Sequence, residues 1–250
     1  MSRYFLEVSY LGTGFAGFQK QNNAPTIQSE IEKVLQIYFR TQIDLTGSSR
    51  TDAGVHAFQN YFHFDFFTPI DADCIYNLNA MLPPQIVIRK LHKFEREAHA
   101  RFEAIAREYN YSITLHKEPF FYDRSYFYPY TLDFQLLQQS ATLLMEYNDF
   151  STFAKRGSQV KTNICQLWMS NWKFIDNRLV YEVKGNRFLR GMVRGLVGTM
   201  LLVGRKKIDM STFKEIIESK DAAKANFAVP GHGLTLVKVH FPNDYFTDIR

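Results

Sequence analysis

The apolar residues of this chain switch between a spacing of two and a spacing near 3.6, and they do so twice in almost the same order. Tyr4 to Ser9 reads as a short strand. Ile27, Ile31, Val34, Leu35 and Tyr38 follow at helical spacing behind the start signal Pro25-Thr26. A brief strand around Ile43 and Leu45 runs into the loop Gly47 to Gly54. A longer strand then places Phe58, Phe62, Phe64 and Phe66 on one side and Gln59, Tyr61, His63 and Asp65 on the other. Asp71 to Met81 reads as a helix that stops before Pro83-Pro84, and Ile86, Ile88 and Leu91 open another strand. The order is β-α-β-β-α-β. From Ala104 it roughly recurs: Tyr109, Tyr111, Ile113 and Leu115 alternate on a strand, and a helix covers Phe134 to Met145. A hairpin joins Leu167–Phe174 to Leu179–Val183 through Asp176-Asn177. Helices over Phe188–Val203 and Ser211–Ser219 and a last strand over Leu234–His240 complete it. The expectation is an α+β protein of two similar halves, 1–103 and 104–250, sharing one largely antiparallel sheet with helices on one face and a basic cleft between the halves.

At 250 residues, 46% of them hydrophobic, the chain can bury a sizeable core, which excludes a disordered class. A formal charge of +5 suits a polyanionic partner without requiring one. Cys74 and Cys165 lack partners at disulfide-framework or zinc spacing, so a reducing, cytoplasmic setting and no metal are expected. Neither a signal-peptide core nor a run long enough to span a bilayer is evident.

Three segments combine residue types that carry chemistry. Arg50-Thr51-Asp52-Ala53-Gly54-Val55-His56 places a carboxylate two residues from a guanidinium in a glycine-flanked loop. Pairing with arginine keeps a carboxylate ionised, and an ionised carboxylate can act as a nucleophile. An Asx-turn serving only its own backbone is the alternative. A Ser48-Asp52-His56 triad is a poor candidate, since the Gly-x-Ser-x-Gly elbow is missing. His99 to Tyr111 interleaves Arg101 and Arg107 with Phe102, Tyr109 and Tyr111, a pattern suited to phosphates and unstacked bases, although Tyr109 and Tyr111 could equally be sheet core. The expected helix Phe188–Val203 sets Leu189, Met192, Val193, Leu196 and Met200 against a face with Arg187, Arg190 and Arg194. Its Gly191, Gly195 and Gly198, each costing roughly 1 kcal/mol relative to alanine, call for a close backbone approach. Lys155-Arg156-Gly157-Ser158 with Lys161 forms a basic loop that could follow an RNA backbone or be ordinary surface.

Taken in order, these segments resemble the tRNA pseudouridine synthase A family almost from end to end. The resemblance rests on Tyr10 to Gln19, Arg50 to Ala57, and His99-Ala100-Arg101 with Arg107, Tyr109 and Tyr111. It continues through Asn148-Asp149-Phe150, Asn186 to Arg194 and Ala228 to Leu234. It implies the pseudouridine synthase fold, and isomerisation of uridine at positions 38 to 40 of the tRNA anticodon stem-loop with no metal or cofactor. Asp52 would be the nucleophile, Tyr109 the ring against the target base, and Arg194 the partner of Asp52. Arg50, Arg101, Arg190 and His56 would contact substrate. A homodimer is implied as well. The sequence departs from the family pattern at Leu11, Phe18 and Ser49, where aspartate, tryptophan and glycine are usual. Ser49 bears most on the geometry of the Asp52 loop. A non-catalytic tRNA-binding protein on the same scaffold, or a synthase with another target position, is the competing expectation.

Overall fold

The computed structural model describes residues 1–71, 73–94, 97–155, 157 and 161–246. It is a mixed α+β structure with five α-helices among the described residues. Two compact units divide the chain: Met1–Ile105 with Leu236–Arg250, and Ala106–Thr235.

In the first unit, β1 (Ser2–Tyr10) lies between β4 (Ile86–Phe94) and β3 (His56–Phe66), antiparallel to both, and the two-residue β2 (Thr46–Gly47) pairs with β3. The sequence expectation placed a strand at Ile43 and Leu45. Both residues are instead buried loop positions, and pairing begins only at Thr46. Helix α1 (Ile27–Phe39) starts where expected: Thr26 caps it by accepting from the Ser29 amide at 3.1 Å, while the Ser29 hydroxyl accepts from the Thr26 amide. Its buried Ile27, Ile31, Val34 and Leu35 each contribute roughly 1.5–3 kcal/mol relative to exposure. Helix α2 (Cys74–Met81) ends ahead of the prolines.

Strand β3 is buried on both faces over Asn60–Phe64. Phe62 is stacked by Phe18 at 4.4 Å. On the opposite face, Tyr61 stacks on Phe246 at 5.1 Å and meets the edge of Phe241. The last strand, β9 (Leu234–His240), neighbours β3, and its His240 carbonyl accepts from the Ile105 amide. A C-terminal aromatic cluster thus covers a strand face that local alternation alone could not show to be dry.

In the second unit, β5 (Ala106–Thr114), β8 (Arg178–Gly185) and β7 (Leu167–Ile175) run antiparallel in that order, and the short β6 (Tyr126–Phe127) pairs parallel with β5. The hairpin turns at Asp176 and Asn177, both at positive φ as a tight two-residue turn requires. Helices α3 (Phe134–Leu143), α4 (Met192–Gly204) and α5 (Met210–Glu218) complete the unit. One helix boundary needs correcting: α4 begins at Met192, because Gly191 adopts φ 73°, which a right-handed helix does not allow. Arg187 and Arg190 therefore lie in the approach to the helix, and only Arg194 of the three is on it. Of the basic loop, Arg156 and Ser158 fall outside the described residues. No helix among the described residues is long and apolar enough to cross a membrane.

Candidate functional site

Asp52 lies in a turn closed by the Val55 amide donating to the Asp52 carbonyl at 3.2 Å, with Gly54 at φ 75°. The segment Tyr10–Phe18 braces this turn from beneath. The Phe18 amide donates to the Thr51 carbonyl at 3.0 Å, and the Tyr10 and Thr51 hydroxyls share a 2.9 Å bond. The Gly12 amide donates to His56 Nδ1 at 3.0 Å. Contact at Gly12 is backbone against backbone: a Cβ there would overlap the Val55 carbonyl. Asn60, fully buried on β3, donates from Nδ2 to the Ser49 carbonyl at 2.8 Å and to the Tyr10 hydroxyl at 3.1 Å. The Asp52 loop is held by its own main chain and by the buried side chains of Tyr10, His56 and Asn60.

The three departures fit this frame. Ser49 is buried, and its φ is outside the left-handed region, so a side chain there adds no backbone strain. Phe18 fills the place of the usual tryptophan by lying nearly parallel to Phe62, 6° apart. Leu11 is partly exposed at 36%.

His56, expected among the substrate contacts, is 3% exposed, and its observed bond is with Gly12. A triad imidazole must donate from one nitrogen to the acid and accept at the other from the nucleophile. Nδ1 here accepts a main-chain amide and can do neither, while the Ser48 hydroxyl lies 3.5 Å from that of Ser49. The loop is not arranged as a hydrolytic triad.

Arg50 and Arg101, some fifty residues apart in sequence, come together in the first unit. They line a cavity of about 250 Å³ with His99, Gln19, Gln28, Phe18, Leu45, Thr46 and Gly47. Both arginines are exposed. Guanidinium groups around an open polar cavity suit bidentate binding of phosphate. Burial, then the nearby Arg3, lowers the pKa of His99, which favours its neutral form.

In the second unit, Tyr109 is 8% exposed and meets the Phe188 ring edge-on at 5.1 Å. Arg107 donates to the Asn186 carbonyl, fixing the turn after β8 beside β5. Arg194 Nε donates to the Val229 carbonyl at 2.9 Å, which orients the guanidinium plane. Tyr111 donates to the Pro230 carbonyl at 2.9 Å; burial, partly offset by Arg194, raises its pKa, so its hydroxyl stays protonated. The close approach foreseen for the helix glycines is present: a Cβ on Gly198 would overlap the Asn226 carbonyl, and Asn226 bonds both Gly198 and Thr199. Arg190 is exposed, and its carbonyl accepts the Lys155 amide.

The sequence reading gave Asn60, Tyr10 and His63 no individual role in the site. Asn60 had a signal: it is the polar exception in phase with Phe58, Phe62, Phe64 and Phe66.

The mixed α+β architecture with largely antiparallel strands is that of the pseudouridine synthase fold. A family model described as tRNA pseudouridine synthase matches residues 144–242. Relatives named tRNA pseudouridine synthase A match over nearly the whole chain. That of Parabacteroides distasonis is 41% identical, covering 98% of each chain. That of Bacteroides fragilis is 41% identical over 98% of this chain and 99% of its own, and that of Clostridium acetobutylicum 36% over 96% and 100%. The chain belongs to the tRNA pseudouridine synthase A family.

Proposed function

We propose that this chain isomerises uridine to pseudouridine in tRNA, at positions 38 to 40 of the anticodon stem-loop, with Asp52 as the nucleophile. The observation that carries the reading is the bracing of the Asp52 turn: Thr51, Asp52, Val55 and His56 are all fixed by bonds to the opening segment or within the turn, so the main chain that bears the carboxylate is held in one place. In the reaction the N1–C1′ bond breaks, the uracil turns while bound, and a C5–C1′ bond forms. N1 gains a proton and C5 loses one, so atoms and charge balance. Whether the carboxylate attacks C1′, attacks the pyrimidine ring or removes the C2′ proton, it must be ionised, and Arg194 is assigned to hold it so. Tyr109 is assigned to the face of the target base. Arg50, Arg101 and Arg190 are assigned to the RNA backbone, with His56 supporting the loop at the substrate. The halves 1–103 and 104–250, a homodimer and a cytoplasmic setting belong to the same reading.

Carbodiimide-dependent primer-extension stops on tRNA treated with the enzyme would map the product. Stops confined to positions 38 to 40 are expected, and stops elsewhere in the molecule would overturn the positional assignment. Affinity should fall linearly in log salt, by roughly 0.7 to 0.9 per phosphate neutralised. A flat response would remove the arginines from the RNA backbone.

A further inference from the structure

The segment 98–103, which carries Arg101 to the wall of the 250 Å³ cavity, has an anchor that the reaction does not account for. Arg3 holds one end of it: its guanidinium forms a bidentate pair with Asp65, 2.7 Å for each bond, and donates to the Ala98 carbonyl at 2.8 Å. His63 holds the middle. Its Nδ1 accepts the amide of Ala100, a fully buried residue, at 3.3 Å, and its ring lies edge-on to that of His99 at 4.7 Å. Glu103 closes the turn by accepting the His99 amide at 2.9 Å. Arg101 itself is exposed. The main chain leading into it is held by His63, which accepts the Ala100 amide and meets the His99 ring.

We propose that His63 is a positioning residue for Arg101: the neutral imidazole, accepting the Ala100 amide at Nδ1, fixes where the segment 98–103 presents that guanidinium to the RNA. This rests on the reading that Arg101 contacts tRNA. An Nδ1 that accepts an amide proton cannot also carry one, so the tautomer is protonated at Nε2 only. The surroundings favour that neutral state. Burial is the largest cause, followed by the charges of His99 and Arg3, against which Asp65 and Glu103 act in the opposite sense, and the pKa is held down to about 4. Loss of the acceptor would leave a buried amide unsatisfied and release the segment from β3. The fold would survive, because Arg3–Asp65 and the Ile105–His240 bond remain.

The test is a double-mutant cycle on the full chain, read as the dissociation constant for an unmodified tRNA transcript. His63→Phe keeps a ring against Phe5, whose centroid lies 5.6 Å away, and removes the acceptor together with the Nε2 donor. It should weaken binding about fivefold, the loss of roughly one well-placed hydrogen bond. Placed on Arg101→Ala, it should weaken binding no further. His63→Asn, whose amide oxygen can take the position of Nδ1, should restore near wild-type affinity. An equal loss in both backgrounds would mean that His63 acts through the fold at large and would overturn the proposal. So would unchanged binding by His63→Phe where Arg101→Ala alone weakens it. If Arg101→Ala has no effect, the failure lies in the assignment of Arg101 to RNA, and the proposal falls with it. Should His63→Phe not fold, His63→Gln, which carries its acceptor one methylene farther out, runs the same cycle with the same outcomes.

Discussion

Two loops of the first unit are fixed by different means. The Asp52 turn is held by main-chain bonds, by a backbone contact at Gly12 too close for any side chain, and by the buried side chains of Tyr10, His56 and Asn60. The Arg101 segment is held by side chains that can titrate or swing: His63, the Arg3–Asp65 pair and Glu103. The first design tolerates almost no change of position. The second can adjust, and it depends on protonation. That division suits a site in which the reacting group must be placed within a fraction of an ångström while a contact to an RNA backbone can tolerate more.

The comparison breaks first, if it breaks, at Gly12. Gly12→Ala forces the Val55 carbonyl to move, and turnover should fall by about a hundredfold or more, the scale set by misplacing a reacting group by roughly 1 Å. Single-turnover kinetics would show it, and a variant within threefold of wild type would mean that the turn is not rigid.

Tyr10→Phe removes the hydroxyl shared by Thr51 and Asn60. A stability loss of about 1 kcal/mol is expected in denaturant titration, with turnover reduced more than tRNA affinity.

The side-chain-held segment should show itself in acid. His63 titrates near 6.5 when unfolded and at about 4 when folded, so between these values the unfolded chain binds more protons. Stability from this group is complete above about pH 6.5 and is lost as the pH falls toward 4. Below that, Asp65, whose carboxyl is lowered chiefly by its bond to Arg3, adds a further loss as it protonates. A pH series of melts should slope less in His63→Phe than in wild type over the upper window, and identical slopes would contradict the role given to His63. The smallest effect is expected one residue from the largest: Leu11→Ala, at a partly exposed position, should change stability by no more than about 0.5 kcal/mol.

Much of the fold was legible in the sequence because it rests on local signals. Thr26 ahead of an apolar helical stripe gave the start of α1, and Asp176-Asn177 between alternating strands gave the hairpin. The glycines of α4 correctly announced a close neighbour, though not that Gly191 would end the helix on one side and leave Arg187 and Arg190 ahead of it. What stayed hidden is non-local. The aromatic cap of Phe241 and Phe246 lies about 180 residues from Tyr61 on the strand face it covers. Arg50 and Arg101 could be named individually, but their convergence on one cavity depends on the register of β3 and on His63, which reads in sequence as one more alternating polar residue.

The central claim is that the carboxylate on the braced turn performs the isomerisation. Tritium release from tRNA labelled at uracil C5 measures loss of the C5 proton directly, and Asp52→Asn alters the charge while keeping the shape. Release by the wild type that disappears in Asp52→Asn, with tRNA still bound, is the expected result. Release that persists in Asp52→Asn at a comparable rate would contradict it.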